Sequence, residues 1–141
     1  MIDTVVILDY GSQYTQLIAR KIRECSVHSI ILPYNYSKKQ IIKYKIKGII
    51  LSGGPASVYE DDSPQLPKDI FDYNVPILGI CYGFQLLVNH FDGLVENSGK
   101  AEYGNANIIL ELKSLLLNQV NKKSSVWMSH GDKVQEIPEN W

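Results

Sequence analysis

Val75-Pro76-Ile77-Leu78-Gly79-Ile80-Cys81-Tyr82-Gly83-Phe84-Gln85 reads as a buried strand, a sharp turn and the first turn of a helix. The apolar run is bounded by Asn74 on one side and a glycine-flanked cysteine on the other. A short apolar run between turn signals fits a strand covered on both faces. Gly79-Ile80-Cys81-Tyr82-Gly83 has the spacing of a nucleophile elbow, G-x-S-x-G, with cysteine at the serine position. The two glycines let neighbouring backbone pass close by, so the central side chain projects from a strained turn. The helix that follows aims its free amides and positive dipole end at the sulfur, which favours the thiolate. The plainer alternative for Cys81 is a small buried side chain at a strand end.

Upstream of this elbow, strand and helix patterns alternate. Thr4 to Leu8 is a β-branched, apolar first strand running into Asp9-Tyr10-Gly11-Ser12-Gln13. Ser12 is the expected N-cap of a helix whose stripe is Tyr14, Leu17, Ile18 and Ile22, ending near Cys25-Ser26. Val27 to Leu32 is a second strand, stopped by Pro33, in which His28 is packed or edge-exposed. A second helix is expected from Ser37, with Ile41, Ile42 and Ile46 inward and a solvated lysine face. Gly48 to Leu51 is a third strand ending in Ser52-Gly53-Gly54-Pro55; 56–67 reads as a loop and Leu66 to Tyr73 as a short helix. The elbow helix should bury Phe84, Leu87, Val88 and Phe91 and stop at Asp92-Gly93. This alternation predicts an α/β fold, a mostly parallel open sheet with helices on both faces. Beyond Gly93, Leu94 to Asn97, Ala106 to Leu112 and Ser125 to Ser129 read as strands without long helices between them, an antiparallel extension of the sheet. Leu115-Leu116-Leu117 reads as one helical turn.

The chain of 141 residues suits one domain. Its net charge of −1 argues against a nucleic-acid partner or an anionic membrane surface. No apolar run approaches the roughly 18 residues of a membrane span. Met1-Ile2-Asp3-Thr4 leads into a strand with no basic region or cleavage site. Cys25 and Cys81, far apart, read as free thiols in a reducing compartment, so the cytoplasm is the expected location. No metal-ligand cluster stands out.

In open α/β sheets, sites form at the carboxyl ends of the strands. Three polar, glycine-bearing segments are expected there: Asp9-Tyr10-Gly11-Ser12, Ser52-Gly53-Gly54-Pro55 and Cys81-Tyr82-Gly83. An elbow nucleophile requires oxyanion donors, one of them the next amide, Tyr82, and a second from a glycine-rich turn, which Gly53-Gly54 fits. That segment reads equally as a plain turn; a phosphate cradle fits it less, for want of the P-loop lysine and spacing. Of His28, His90 and His130, His90 lies two turns down the elbow helix, and only His130 is expected at the site edge. From the residues alone the candidates are Cys81 and His130, with Asp132 beside it. The alternative for His130-Gly131-Asp132 is a turn at a strand end.

Four segments in order carry a resemblance: Ile7-Leu8-Asp9-Tyr10-Gly11-Ser12-Gln13-Tyr14, Ile50-Leu51-Ser52-Gly53-Gly54-Pro55, the elbow through Gln85, and Val126-Trp127-Met128-Ser129-His130-Gly131-Asp132-Lys133. Together they resemble the class I, triad-type glutamine amidotransferases, and the first and last resemble the GMP synthase branch of that family. The resemblance implies a Cys81 nucleophile that forms a glutamyl thioester. It implies oxyanion donors at Gly54 and Tyr82, and substrate contacts from Gln85, Ser129, Gly131 and Asp132. It implies that His130 is not the base, which comes instead from a His-Pro-Glu segment; no His follows His130 and no His-Pro-Glu occurs in these 141 residues. The chain is thus expected to be a partial amidotransferase domain spanning 1–141. Glutamine is the implied ligand, with no cofactor or metal for its hydrolysis. An ATP- and magnesium-using synthetase domain or subunit is the implied partner, converting XMP to GMP, and the whole enzyme is expected as a homodimer. Two other readings are an inactive remnant with a binding or regulatory role, and an amidotransferase of anthranilate or carbamoyl phosphate synthesis. The latter fits Trp127-Met128-Ser129-His130-Gly131-Asp132 less well.

Overall fold

The computed structural model describes residues 1–111, 114–139 and 141, and of residues 98–102 the backbone only. Its elements are β1 (Asp3–Asp9), α1 (Thr15–Glu24), β2 (His28–Pro33), α2 (Lys38–Ile41), β3 (Lys45–Leu51), β4 (Ile77–Gly79), α3 (Tyr82–His90), β5 (Leu94–Ile109) and β6 (Lys123–Glu136). β1 to β4 make a parallel sheet in the order β2-β1-β3-β4, and β5 and β6 form an antiparallel ribbon of their own.

β1 is central because Val6, Ile7 and Leu8 are apolar on both faces, and all three are buried. Val6, Leu8 and Tyr10 share one face with Ile49 and Leu51 of β3. That face is covered by Ile41 of α2, by Ile70 of a 3-10 turn (Ile70–Tyr73), and by Tyr82, Leu86 and Leu87 of α3. α1 covers the opposite face. Ser29, paired with Val5, donates its hydroxyl to the Ala19 carbonyl at 3.1 Å. The α/β architecture with a parallel sheet and helices on both faces is the one expected; the antiparallel part, expected as an extension of that sheet, is a separate two-stranded sheet.

Several boundaries differ from the expected ones. The strand expected over Val75 to Ile80, covered on both faces, is only Ile77–Gly79, half-buried at the end of the parallel sheet. Ser12 is not the N-cap of α1, which is Tyr14; the Ser12 hydroxyl instead accepts the Tyr14 amide at 3.1 Å. Thr15 donates to Asp9 Oδ1 at 2.9 Å, and this anchor turns Thr15 and Ala19 inward. The buried stripe is therefore rotated, and Tyr14 and Leu17 are exposed. α2 is capped at Ser37, as expected, with a Ser37–Gln40 capping box, but it ends at Ile41. Ile42 is exposed, and Ile46 belongs to β3, which starts at Lys45 where the register with Asp3 and Thr4 begins. Ladder bonds to β1 outweigh a four-residue helix that has barely passed nucleation. The helix expected over Leu66–Tyr73 shrinks to the 3-10 turn, ended by Asn74 at φ 48°. Phe91, expected in the α3 stripe, is its C-cap and exposed, while Leu86 is buried.

The three strands expected after Gly93 are two long ones, paired from Leu94↔Glu136 to Ile109↔Lys123. Leu112, the expected end of one of them, lies outside the described residues. Asn105 and Asn107 point outward between half-buried Ala106 and Ile108, an alternation that weak β-formers conceal in the sequence. His130-Gly131-Asp132 lies inside β6 and is not a turn. A turn over 115–119 replaces the expected helical turn at Leu115 to Leu117. Among the described residues no helix is long and apolar enough to cross a membrane.

Candidate active site

The elbow is built by close packing. Beyond β4, the Ile80 amide donates to the Leu51 carbonyl at 3.0 Å and the Gly83 amide to the Ser52 carbonyl at 3.1 Å, which holds the turn against the end of β3. A Cβ on Gly79 would lie 2.5 Å from Phe84 Cα, and one on Gly83 would lie 2.4 Å from Leu51 Cβ. Both positions therefore require glycine for want of space. Cys81 between them has φ 49° and ψ −113°, a conformation costly for any residue with a Cβ. Its carbonyl accepts the Phe84 and Gln85 amides at 3.0 Å each, so the helix starts at the cysteine.

Two more turns converge on the same edge. Ser52 is fully buried; its hydroxyl accepts the Tyr10 amide at 2.9 Å and donates to the Gly53 carbonyl at 2.8 Å, tying the ends of β1 and β3 together. A Cβ on Gly53 would lie 3.3 Å from Cys81 Cβ, so this backbone lies against the cysteine side chain. A Cβ on Gly54 would lie 2.3 Å from the Tyr10 carbonyl oxygen. The Tyr82 ring is buried and its hydroxyl donates to the Pro64 carbonyl at 2.7 Å, which leaves its backbone to face the site. Burial pushes the neighbouring Tyr10 hydroxyl far up, with Tyr82 and Tyr34 adding to it, so that phenol stays protonated.

These turns, the start of α3 and the middle of β6 enclose a cavity of about 560 Å³, within the range of small-molecule sites. Cys81, Tyr82, Gln85, Gly54, Ser129, Gly131 and Asp132 all line it, as does His130. Gln85 Nε2 donates to the Asp132 carbonyl at 2.9 Å, joining α3 to β6. The cavity also takes Ser12, Gln13 and Tyr14 from the first turn, Ser57 from the loop after Pro55, and Tyr103 from β5. Ser12 belongs to a segment expected at this edge, whereas Gln13, Tyr14, Ser57 and Tyr103 do not stand out as site residues in the sequence. The signal available for Ser12 to Tyr14 is their place in the first resembling segment, whereas Ser57 and Tyr103 arrive by long-range packing alone. His28 and His90 are elsewhere: His28 Nδ1 hydrogen-bonds Thr4 Oγ1 at 2.9 Å, and His90 stacks on Phe71.

Cys81 opens to solvent through the cavity, yet burial pushes its thiol up from the ordinary value. The helix start was expected to favour the thiolate, and desolvation acts against it. The sign gives a prediction: a raised pKa means less thiolate at neutral pH and a rate still climbing above the ordinary thiol range. Alkylation of Cys81 by iodoacetamide, followed by peptide mass spectrometry against Cys25 in the same chain, should show that late rise. A Cys81 rate that levels off at or below neutral pH would contradict it.

An α/β sheet with a cysteine between two glycines at its carboxyl edge has the layout of a nucleophile elbow. The class-I glutamine amidotransferase profile matches residues 6–141, and the chain belongs to that family. It is 49% identical over 139 residues to the glutamine-hydrolysing GMP synthase of Thermobifida fusca, covering 99% of this chain and 26% of that protein. It is 52% identical over 137 residues to that of Campylobacter jejuni, covering 97% of this chain and 27% of that protein. The chain thus spans about a quarter of the length of these curated relatives. Among solved structures, a Thermotoga maritima glutamine amidotransferase superposes with TM-score 0.68 at 18% identity, covering 98% of this chain and 64% of that one. A Thermoplasma acidophilum protein assigned to GMP synthase gives 0.79 at 24%, covering 99% of this chain and 70% of that one. At such identities the structural likeness speaks for the fold alone.

Proposed function

We propose that this chain carries the glutamine-binding and nucleophile-bearing part of a GMP synthase amidotransferase. The observation that carries the reading is the strained backbone of Cys81, held by two sterically required glycines at the mouth of the cavity. The Cys81 sulfur adds to the side-chain amide carbon of glutamine. The Gly54 and Tyr82 amides receive the oxyanion, ammonia leaves, and water releases glutamate from the thioester. Gln85, Ser129, Gly131 and Asp132 hold the substrate. In this reading the proton acceptor is the histidine of a His-Pro-Glu segment, which these 141 residues do not contain. The ammonia serves an ATP- and magnesium-dependent synthetase that converts XMP to GMP, and no step at Cys81 runs through either cofactor. The same reading makes the enzyme cytoplasmic and the complete protein a homodimer.

The test is covalent labelling with the diazoketone analogue of L-glutamine. A single adduct on Cys81, suppressed by excess L-glutamine, is the expected result. Equal labelling of Cys25, or no protection by L-glutamine, would overturn the reading.

A further inference from the structure

We propose that Ser57 is a positioning residue that aims the Asp132 carboxylate at the α-ammonium group of an amino acid in the Cys81 cavity; this rests on the glutamine reading above. Asp132 is 7% exposed and is the one carboxylate among the described residues that line the cavity. Among those residues there is no Lys or Arg, and no described ion pair involves Asp132. A carboxylate taken out of water without a cationic side chain opposite is complementary to a cationic ligand group. The main chain of Asp132 is fixed by Gln85. Its side chain is fixed by Ser57, whose hydroxyl donates to Oδ2.

The direction of that hydroxyl is set before any ligand arrives. Its oxygen accepts the Tyr59 amide at 3.3 Å, which leaves its single proton for Asp132. The Glu60 amide donates to the Ser57 carbonyl at 3.2 Å, and the Ser57 amide donates to Glu60 Oε2 at 3.4 Å. The Tyr59 hydroxyl donates to the Val95 carbonyl, docking the loop on β5. Ser57 thus reaches the site from a loop braced on both sides. It holds one carboxylate oxygen and leaves the ligand to be met by a carboxylate of fixed orientation, with little rotamer freedom lost on binding.

The experiment measures, on the 141-residue chain, the concentration of L-glutamine that half-protects Cys81 from iodoacetamide. Glutaramate, the same molecule without the α-ammonium group, serves as the second probe. Ser57→Ala should raise the L-glutamine value about tenfold, the scale of one lost charge-assisted hydrogen bond. It should change the glutaramate value by less than about twofold, and Ser57→Thr, which keeps the hydroxyl, should restore the L-glutamine value to within about threefold. A shift equal for both probes would show that Ser57 only shapes the wall, and no shift for either would show that it does nothing for binding; both results overturn the inference. Failure of L-glutamine to protect the unsubstituted chain would overturn the glutamine reading and this inference with it, before any variant is made.

Discussion

Assayed alone, the 141-residue chain should release ammonia from glutamine at least about a thousandfold more slowly than a complete class-I amidotransferase, the scale of losing the base that serves a nucleophile. The elbow supplies position and the neighbouring amides, but burial raises the Cys81 thiol and leaves it protonated at neutral pH. A nucleophile in that state needs a proton acceptor within hydrogen-bond reach. His28 is engaged with Thr4 and stacked on Tyr44 at the β2 edge, and His90 stacks on Phe71 at the far end of α3. Only His130 shares the cavity, as part of the β6 wall. Ammonia release is measured with a coupled glutamate dehydrogenase assay. Turnover that persists in the unsubstituted chain and vanishes in both Cys81→Ala and His130→Ala would overturn the prediction and make His130 the base.

Gly83→Ala should lower stability severely. The added methyl would sit 2.4 Å from Leu51 Cβ and 2.5 Å from the Leu51 carbonyl oxygen, where carbon atoms normally keep about 3.5–4 Å. Leu51 is fully buried in the central sheet and cannot yield without disturbing the core around Val6, Leu8 and Ile49. The alternative is to move the start of α3, which breaks the Gly83–Ser52 bond and displaces Cys81. Either route is severe overpacking, costing about 3 kcal/mol or more and lowering Tm on the order of 10 °C. Gly131→Ala is the companion variant, since nothing lies within 4 Å of its added Cβ. It should stay within about 0.5 kcal/mol of the unsubstituted chain. Thermal melts followed by far-ultraviolet circular dichroism compare the two. A Gly83→Ala melt within two or three degrees of the unsubstituted chain would refute the steric argument.

The segments legible in advance were those whose conformation is decided locally. Val6 to Leu8 is apolar on both faces wherever it is placed, so a strand was readable from it, while its central place was decided by pairing with β2 and β3. The elbow was readable because a strained residue between two glycines leaves a signature within five positions. α1 was readable as a helix, but not its buried face, because that face is set by the Thr15–Asp9 bond and not by the stripe of large side chains. α2 was overestimated because Lys45 and Ile46 gain more from pairing with β1 than from extending a short helix. The β5–β6 ribbon was fragmented because Gly104, Asn105 and Asn107 are weak strand formers held by their partners Met128, Trp127 and Ser125.

By itself, then, the sequence determined the strand, turn and helix around Cys81, the need for Gly79 and Gly83, and a parallel sheet that presents the elbow at its carboxyl edge. Those features depend on residue types a few positions apart and on the geometry of a single turn. Tertiary structure alone decided that Gly53 lies against Cys81, that His130-Gly131-Asp132 is a strand wall and not a turn, that Ser57 reaches Asp132, and that burial raises the thiol. Each of these joins residues about 30 to 75 positions apart or depends on the solvent excluded by several elements at once. Only the register of the folded chain fixes such quantities.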